Sequence, residues 1–314
     1  MGSGKGGSSS GGAPMATGGD HTAGGAGGKG SGGAGGKGSG GASGSGNGGS
    51  SGNGDADAGG GSSRGCTLPD YPDETCTGVP PGTTLTVVDG DLDIKTANTV
   101  IDGKDIRGCV NVQAPGVVIR NSRVSCANFI VIASFGGAYT GAGLLVEDSE
   151  IDCQNTGGTA FGDTNFSVRR VNIHGCENGF DLDGENSIVD SYIHDLYQSA
   201  EAHTDGAQIT PVGHDITIRH NRMYANDGTS AIISPKVSSG LLTNVLIQEN
   251  LLAGGAYTLY CQQGGAGNNY RVIDNHFSTI FYPKVGAYGA WTDCEDEDVH
   301  GNVYHETGKP VPVQ

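Results

Sequence analysis

Three observations predict an all-β fold built as a parallel β-helix over residues 65–314. Apolar residues alternate with polar ones at the period of a strand, and no long stretch carries the period of an amphipathic helix. The alternating segments recur at intervals of about 18 to 29 residues, each ending on a polar corner. No single copy holds enough apolar residues to bury its own face, so the copies must stack on their neighbours. The repeats give a solenoid of about eight to ten coils.

The N-terminal segment is a different material. Residues 1–64 hold 29 of the 59 glycines and no aromatic, Leu, Ile or Val. Such a segment cannot bury enough apolar surface to offset chain entropy and is expected to be a disordered Gly/Ser-rich linker. The octad Ala-Gly-Gly-Lys-Gly-Ser-Gly-Gly occurs twice in succession, at 26–33 and 34–41, as in a flexible spacer. Met1-Gly2-Ser3 is followed by no apolar run, so no signal peptide is read.

The eight cysteines place the protein in an oxidising compartment. None sits in a C-x-x-C pair, which argues against structural zinc, and the even count fits a disulfide framework. A secreted or surface-tethered domain on a flexible stalk is expected. Cys66 and Cys76 bracket a short Pro-rich loop and are expected to pair.

From residue 98 one pattern dominates: a short alternating strand, a polar corner, then another apolar position. It runs through 99–106, 117–124, 144–151, 166–173, 187–193, 216–223, 245–252 and 270–277. A second strand set falls between these copies, at 129–132, 179–183, 206–210, 231–234, 258–261 and 285–288. The rival architecture, a β-propeller, needs blades of about 40 residues, longer than this spacing. Asn121, Asn221, Asn250, Asn275 and Asn302 recur near the corner and are expected to satisfy turn backbone groups and stack from coil to coil. Cys109, Cys126, Cys153 and Cys176 fall just beyond the same corner. Stacking favours Cys109–Cys126 and Cys153–Cys176, with other pairings left open by sequence alone.

In the second set, alternation turns Phe180 and Leu182, Ala207 and Ile209, Ala231 and Ile233, and Leu259 and Cys261 inward. It turns Asp181, Asp183, Gln208, Thr210, Ser234, Tyr260 and Gln262 onto one outer face. Lys236 follows two residues after Ser234, and His203 and Asp205 precede Gln208. The loop 194–204, which contains Tyr197, walls this face, and loops on a rigid scaffold commonly carry function.

The repeat pattern over about residues 84–308 resembles the right-handed parallel β-helix superfamily of polysaccharide lyases and related carbohydrate enzymes. The resemblance implies a right-handed coil and, as the leading expectation, a lyase that cleaves a uronic-acid polysaccharide such as alginate by β-elimination. It implies Lys236, His203 and either Tyr197 or Tyr260 as catalytic candidates, with Asp205, Gln208, Thr210, Ser234, Gln262, Asp181 and Asp183 binding substrate. The chemistry fits the residue types. The proton beside a uronate carboxylate leaves only when that charge is neutralised, a base takes it, and an acid protonates the leaving oxygen.

Two other functions stand beside it. His203-Thr-Asp-Gly206 is similar to the Asn-Thr-Asp-Gly segment of pectin-type β-helix hydrolases, although the Asp-Asp, Gly-His-Gly and Arg-Ile-Lys segments of those enzymes have no counterpart here. Hydrolysis needs two carboxyl groups, which Asp181, Asp183 and Asp205 supply. The third possibility is a glycan-binding surface β-helix without catalysis. Each candidate also has a plainer role open to it: Lys236 as a solvated lysine, Tyr260 as a sugar platform, Tyr197 as loop packing and His203 as a loop cap. His194 and His220, near polar corners, read as structural.

Asp181, Asp183 and Asp205 are oxygen ligands that suit calcium, and no organic cofactor is expected. The whole chain carries 17 basic and 34 acidic residues, a net charge of −17, and residues 65–314 carry 13 and 31. With no basic patch, nucleic acid is not a partner. No run of about 18 apolar residues exists to span a membrane. A monomer acting on polysaccharide is expected.

Overall fold

A computed structural model of the chain describes residues 65–135, 140–199, 202–236, 239–262, 268–295 and 298–313. The expectation for 1–64 lies outside the described residues. Residues Gly59–Gln314 form one compact unit. Among the described residues there is no α-helix, and no helix is long and apolar enough to cross a membrane.

The strands fall into three series, each paired parallel from coil to coil. The first runs from Thr86–Asp89 through Lys104–Arg107, Arg123–Ser125, residues 150–152, residues 172–174, Tyr192–Ile193, Arg222–Tyr224, Leu251–Ala253 and His276–Phe277 to Val303–Tyr304. The third includes Val100–Asp102, Val118–Arg120, Leu144–Glu147, Gly184–Val189, His214–Arg219, Thr243–Gln248 and Tyr270–Ile273. The repeats read from sequence are therefore a third-series strand, the corner, and the first-series strand of the next coil. This is the β-helix solenoid that the period predicts.

The second series carries the candidate site. It runs through Leu92–Ile94, Val110–Val112, Ile130–Phe135, residues 159–164, residues 178–182, Asp205–Ile209, Ser230–Ile233, Tyr257–Tyr260 and Gly289–Thr292. Two expectations are corrected. Residues 285–288 bend ahead of the strand, which begins at Gly289. Strand 159–164 escaped notice because it lies inside one long strand, Glu150–Arg169, that turns through corners without a break.

Side-chain alternation fills the interior. Phe161, Phe180, Ala207, Ile232 and Leu259 occupy one register on successive coils, all fully buried, and Trp291 closes the row. The Phe161 and Phe180 rings stack with centroids 5.4 Å apart. Each such side chain removed from water contributes roughly 1.5–3 kcal/mol. Close coil stacking also fixes some glycines. A Cβ on Gly206 would lie 2.5 Å from the Ala231 carbonyl oxygen, and one on Gly179 would lie 2.3 Å from that of Gly206.

The corner between the third and first series is held by a buried polar ladder. Asn221, Asn250 and Asn275 are fully buried, and Asn302 is nearly so. The backbone N–H of Asn221 donates to Asn250 Oδ1 at 2.9 Å, that of Asn250 to Asn275 Oδ1 at 3.0 Å, and that of Asn275 to Asn302 Oδ1 at 2.9 Å. Earlier coils use serines at the same position, Ser122, Ser149 and Ser191. Asn121 is not part of this ladder. It occupies the left-handed position before Ser122, at φ 48°, and donates to Asp102.

Four disulfides form: Cys66–Cys76, Cys109–Cys126, Cys153–Cys176 and Cys261–Cys294. They indicate an oxidising compartment. The N-terminal disulfide loop lies against the first series. Tyr71 is buried against His220, His276 and His305, and Arg222 Nη2 donates to the Tyr71 carbonyl. His220 holds Asp190 through Nδ1 at 2.6 Å and meets the Asp70 carbonyl through Nε2 at 3.0 Å, a structural placement. His194 meets Asn172 Oδ1 through Nε2 at 2.9 Å.

Candidate functional site

The second series presents one outward column in register: Asp181, Gln208, Ile233, Tyr260 and Thr292. Ile233 breaks the polar run and corrects the expected phase of its strand. Ile232, not Ile233, is the inward residue there. The sequence Ala231-Ile232-Ile233 is apolar at every position, so alternation carries no phase.

Two further expectations are overturned. Ser234 is only 6% exposed and its Oγ lies 2.8 Å from the hydroxyl of the buried Tyr270. Gln262 is 1% exposed. It donates to the carbonyls of Pro235 and Gly240 and accepts the backbone N–H of Leu242 at 2.7 Å. Both polar groups serve the interior, where unpaired backbone groups are costly, so neither is displayed to a substrate.

The acidic residues do gather. Asp181 is half-buried and accepts Thr159 Oγ1 at 3.2 Å. Its carboxyl is pushed up to about 6, chiefly by burial and further by Asp183, Asp163 and Glu177, against the pull of the Thr159 hydroxyl. Asp205 is 2% exposed, accepts the Ser230 hydroxyl, and takes its backbone position from Asn178, whose Oδ1 receives the Asp205 N–H at 3.0 Å. Burial pushes its carboxyl up to about 7, and the charges of Asp181 and Glu177 add to the rise while Ser230 opposes it. Asp163 is raised by burial and by Asp183. Asp183 accepts Thr210 Oγ1 at 2.6 Å. The neighbouring charges that raise these three carboxyls are themselves carboxylates.

Asp163, Glu177, Thr159 and Ser230 join this site without having been singled out in the sequence. Alternation gives no signal for Asp163: Phe161 pairs with Phe180, so counting along the strands sets Asp163 opposite Leu182. Asp163 meets Asp183 because its backbone turns left-handed, at φ 81°, and its carbonyl receives the Asp183 N–H at 3.1 Å.

The flanking candidates have different surroundings. Lys236 is exposed on the loop after Ser230–Ile233, next to residues 237–238, which lie outside the described residues. His203 is exposed, and its backbone N–H donates to Glu177 Oε1 at 3.3 Å. Tyr197 is half-buried, with its carbonyl receiving Thr204 Oγ1. Tyr260 is raised chiefly by burial, with smaller contributions from Asp205, Tyr257 and Tyr288. Its ring meets Tyr257 edge-on at 5.6 Å, and Tyr257 lies 5.8 Å from Tyr288.

The calcium expectation finds no compact ligand cluster among the described residues. Among the described residues, groups of three ligand atoms mutually within 4.8 Å occur at Cys66–Asp73–Cys76 and Asp91–Cys109–Cys126, not at Asp181, Asp183 and Asp205. The thiols of both groups are spent in disulfides. One oxygen of Asp183 accepts the Thr210 hydroxyl and one of Asp205 accepts that of Ser230.

Compared with family models, with curated proteins and with solved structures, the chain matches none.

Proposed function

We propose that the chain is a secreted or surface-tethered polysaccharide-cleaving enzyme on a right-handed parallel β-helix, and that the outer second-series face hydrolyses a glycosidic bond. The observation that carries this reading is the pair of carboxyls raised to about 6 at Asp181 and about 7 at Asp205 within a cluster of further carboxyls. A carboxyl that keeps its proton near neutral pH is the general acid that a leaving sugar oxygen needs, and hydrolysis requires a second carboxyl as base or nucleophile. Asp181 is the accessible acid, and Asp183, two residues along, is the partner. Asp205 lies beneath them as a positioning residue that keeps the local field negative and the Asp181 proton in place. A field of this sign repels a uronate at the cleaved bond, so that bond joins sugars that are neutral there, as in an esterified pectin-like chain.

β-Elimination on a uronate chain is the second reading, favoured by one observation. The phenol of Tyr260 stands on the same outward column as Asp181 and Gln208. Lys236, His203 and Tyr197 border the face as further candidates for base and acid. The two chemistries leave different products. The protein is incubated with alginate, pectate, esterified pectin and neutral glycans while near-ultraviolet absorbance and reducing ends are followed together. New reducing ends without absorbance establish hydrolysis. Absorbance that rises with them establishes elimination and overturns the hydrolytic assignment. Neither signal on any substrate leaves a glycan-binding β-helix and removes both.

A further inference from the structure

The last coil carries a cavity that the cleavage chemistry does not use. It holds about 470 Å³, within the range of small-ligand sites. The C-terminal segment builds its wall. Tyr304 N–H donates to the Lys309 carbonyl at 2.8 Å, Val311 N–H to the Asn302 carbonyl at 3.0 Å, and Trp291 Nε1 to the Pro312 carbonyl at 2.9 Å. The site is therefore formed in advance by backbone bonds.

Its chemistry is unlike the rest of the molecule. Lys284 and Lys309 both line it, in a chain whose net charge is −17. The one carboxylate in the lining, Glu306, is already engaged: it accepts Ser278 Oγ at 2.6 Å and the Thr279 N–H at 2.9 Å. Neither ammonium is in an ion pair with a described carboxylate. Beside them Tyr288 is 69% exposed, an aromatic face open to solvent.

Tyr288 also connects the cavity with the candidate site. Its ring neighbours Tyr257, and Tyr257 neighbours Tyr260 on the outward column. Gly289 makes the passage possible, since a Cβ there would stand 3.2 Å from the Tyr257 ring. Register places Asp205, Ser230 and the two following coils in sequence, so the run from the carboxyls to the cavity crosses three coil steps, about 15 Å. Tyrosine faces pack against the apolar faces of sugar rings while their hydroxyls stay wet.

We propose that this cavity is a binding subsite for a carboxylate-bearing sugar, held by Lys284 and Lys309 with Tyr288 as its platform, and that Tyr257 and Tyr260 lead the same glycan chain to the carboxyl cluster. The glycan is thus acidic where it is anchored and neutral where it is cleaved. The path along the face rests on the polysaccharide reading above; the binding in the cavity does not depend on which bond is cut.

The test uses the full chain with Asp181→Asn and Asp205→Asn, which removes the hydrolytic carboxyls, with absorbance followed to exclude elimination, titrated calorimetrically with oligogalacturonate and with its methyl ester. The expected result is binding of the oligogalacturonate, with the ester about tenfold weaker. Lys284→Ala, Lys309→Ala and Tyr288→Ala each weaken binding by about fivefold or more, and Lys309→Arg restores it. Binding also weakens as salt is raised. Equal affinity for acid and ester, or no change in the lysine variants, overturns the proposal, as does no binding at all. Binding with the expected pattern while the wild-type chain cleaves nothing leaves this subsite standing and removes the hydrolytic reading alone.

Discussion

Asp205 and Ser230 stand opposite each other on adjacent coils, and the Ser230 hydroxyl donates to Asp205 Oδ1 in a site from which water is excluded. That bond is what draws the Asp205 carboxyl down against burial and the charges of Asp181 and Glu177. Ser230→Ala removes it. The expected outcome is a rise of the Asp205 midpoint above its value of about 7, read by the pH dependence of its carboxyl carbon signal. An unchanged midpoint would show that the hydroxyl does not stabilise the ionised form.

The raised carboxyls set the pH dependence of stability. The folded values of Asp181 and Asp205, about 6 and about 7, lie above the unfolded carboxyl range near 4. The folded state therefore binds these protons more tightly. Their stabilising contribution is complete below about pH 4 and is lost as pH rises through 6 and 7. His174 and His220, also raised, act in the same direction. Tm is expected to fall between pH 5 and pH 8, and Asp205→Asn to flatten most of that fall in a thermal melt. A slope that survives Asp205→Asn unaltered would assign it elsewhere.

The proposed hydrolysis requires the Asp181 proton. Asp181→Asn is expected to lower the rate of reducing-end release by about a hundredfold or more, the usual contribution of a positioned acid. The far-ultraviolet spectrum of the variant stays that of the wild type. Equal rates would remove Asp181 from the mechanism.

The asparagine ladder is a stability element with a measurable weight. Asn250→Ala leaves the Asn221 N–H without its acceptor, and the Ile218 carbonyl without its donor. Orphaned buried groups of this kind cost about 1–3 kcal/mol each. Urea unfolding should show a lowered midpoint with an unchanged slope.

The disulfide Cys153–Cys176 joins neighbouring coils beside the site, across a sequence separation of 23. Replacing both cysteines by Ala is expected to cost about 3 kcal/mol, measured by the same unfolding experiment. Calorimetry under reducing conditions gives the combined effect of all four bridges.

Much of this architecture was legible because the coils repeat. The apolar alternation at 117–124 or 245–252 announces two strands and a corner, two of the four disulfides follow from cysteines placed beyond equivalent corners, and a third from the short Pro-rich loop that Cys66 and Cys76 bracket. The site was legible where one strand displays polar residues against an apolar background, as at Asp181 and Gln208. It was obscured where local sequence is uniform, as at Ala231–Ile233. It was also obscured where a polar side chain is turned inward to satisfy the backbone of a neighbouring loop, as Gln262 does for Pro235, Gly240 and Leu242. Composition alone cannot tell such a residue from one that faces a ligand. The carboxyl cluster combines residues from three coils, Asp163, Asp181 and Asp205, and its joint electrostatics exist only once register has fixed which carboxyls are neighbours.

Because Asn221, Asn250, Asn275 and Asn302 pass one hydrogen bond down the stack, the coil is an indivisible unit of length. Removing a whole coil rejoins the ladder with its donors and acceptors still matched. Removing a few residues strands a buried amide and throws every outward side chain beyond it out of line. Changes of size that keep the fold therefore come in quanta, and each quantum lengthens or shortens the outward second-series face by one strand spacing, about 4.8 Å. The molecule behaves as a ruler whose graduations are written in asparagine.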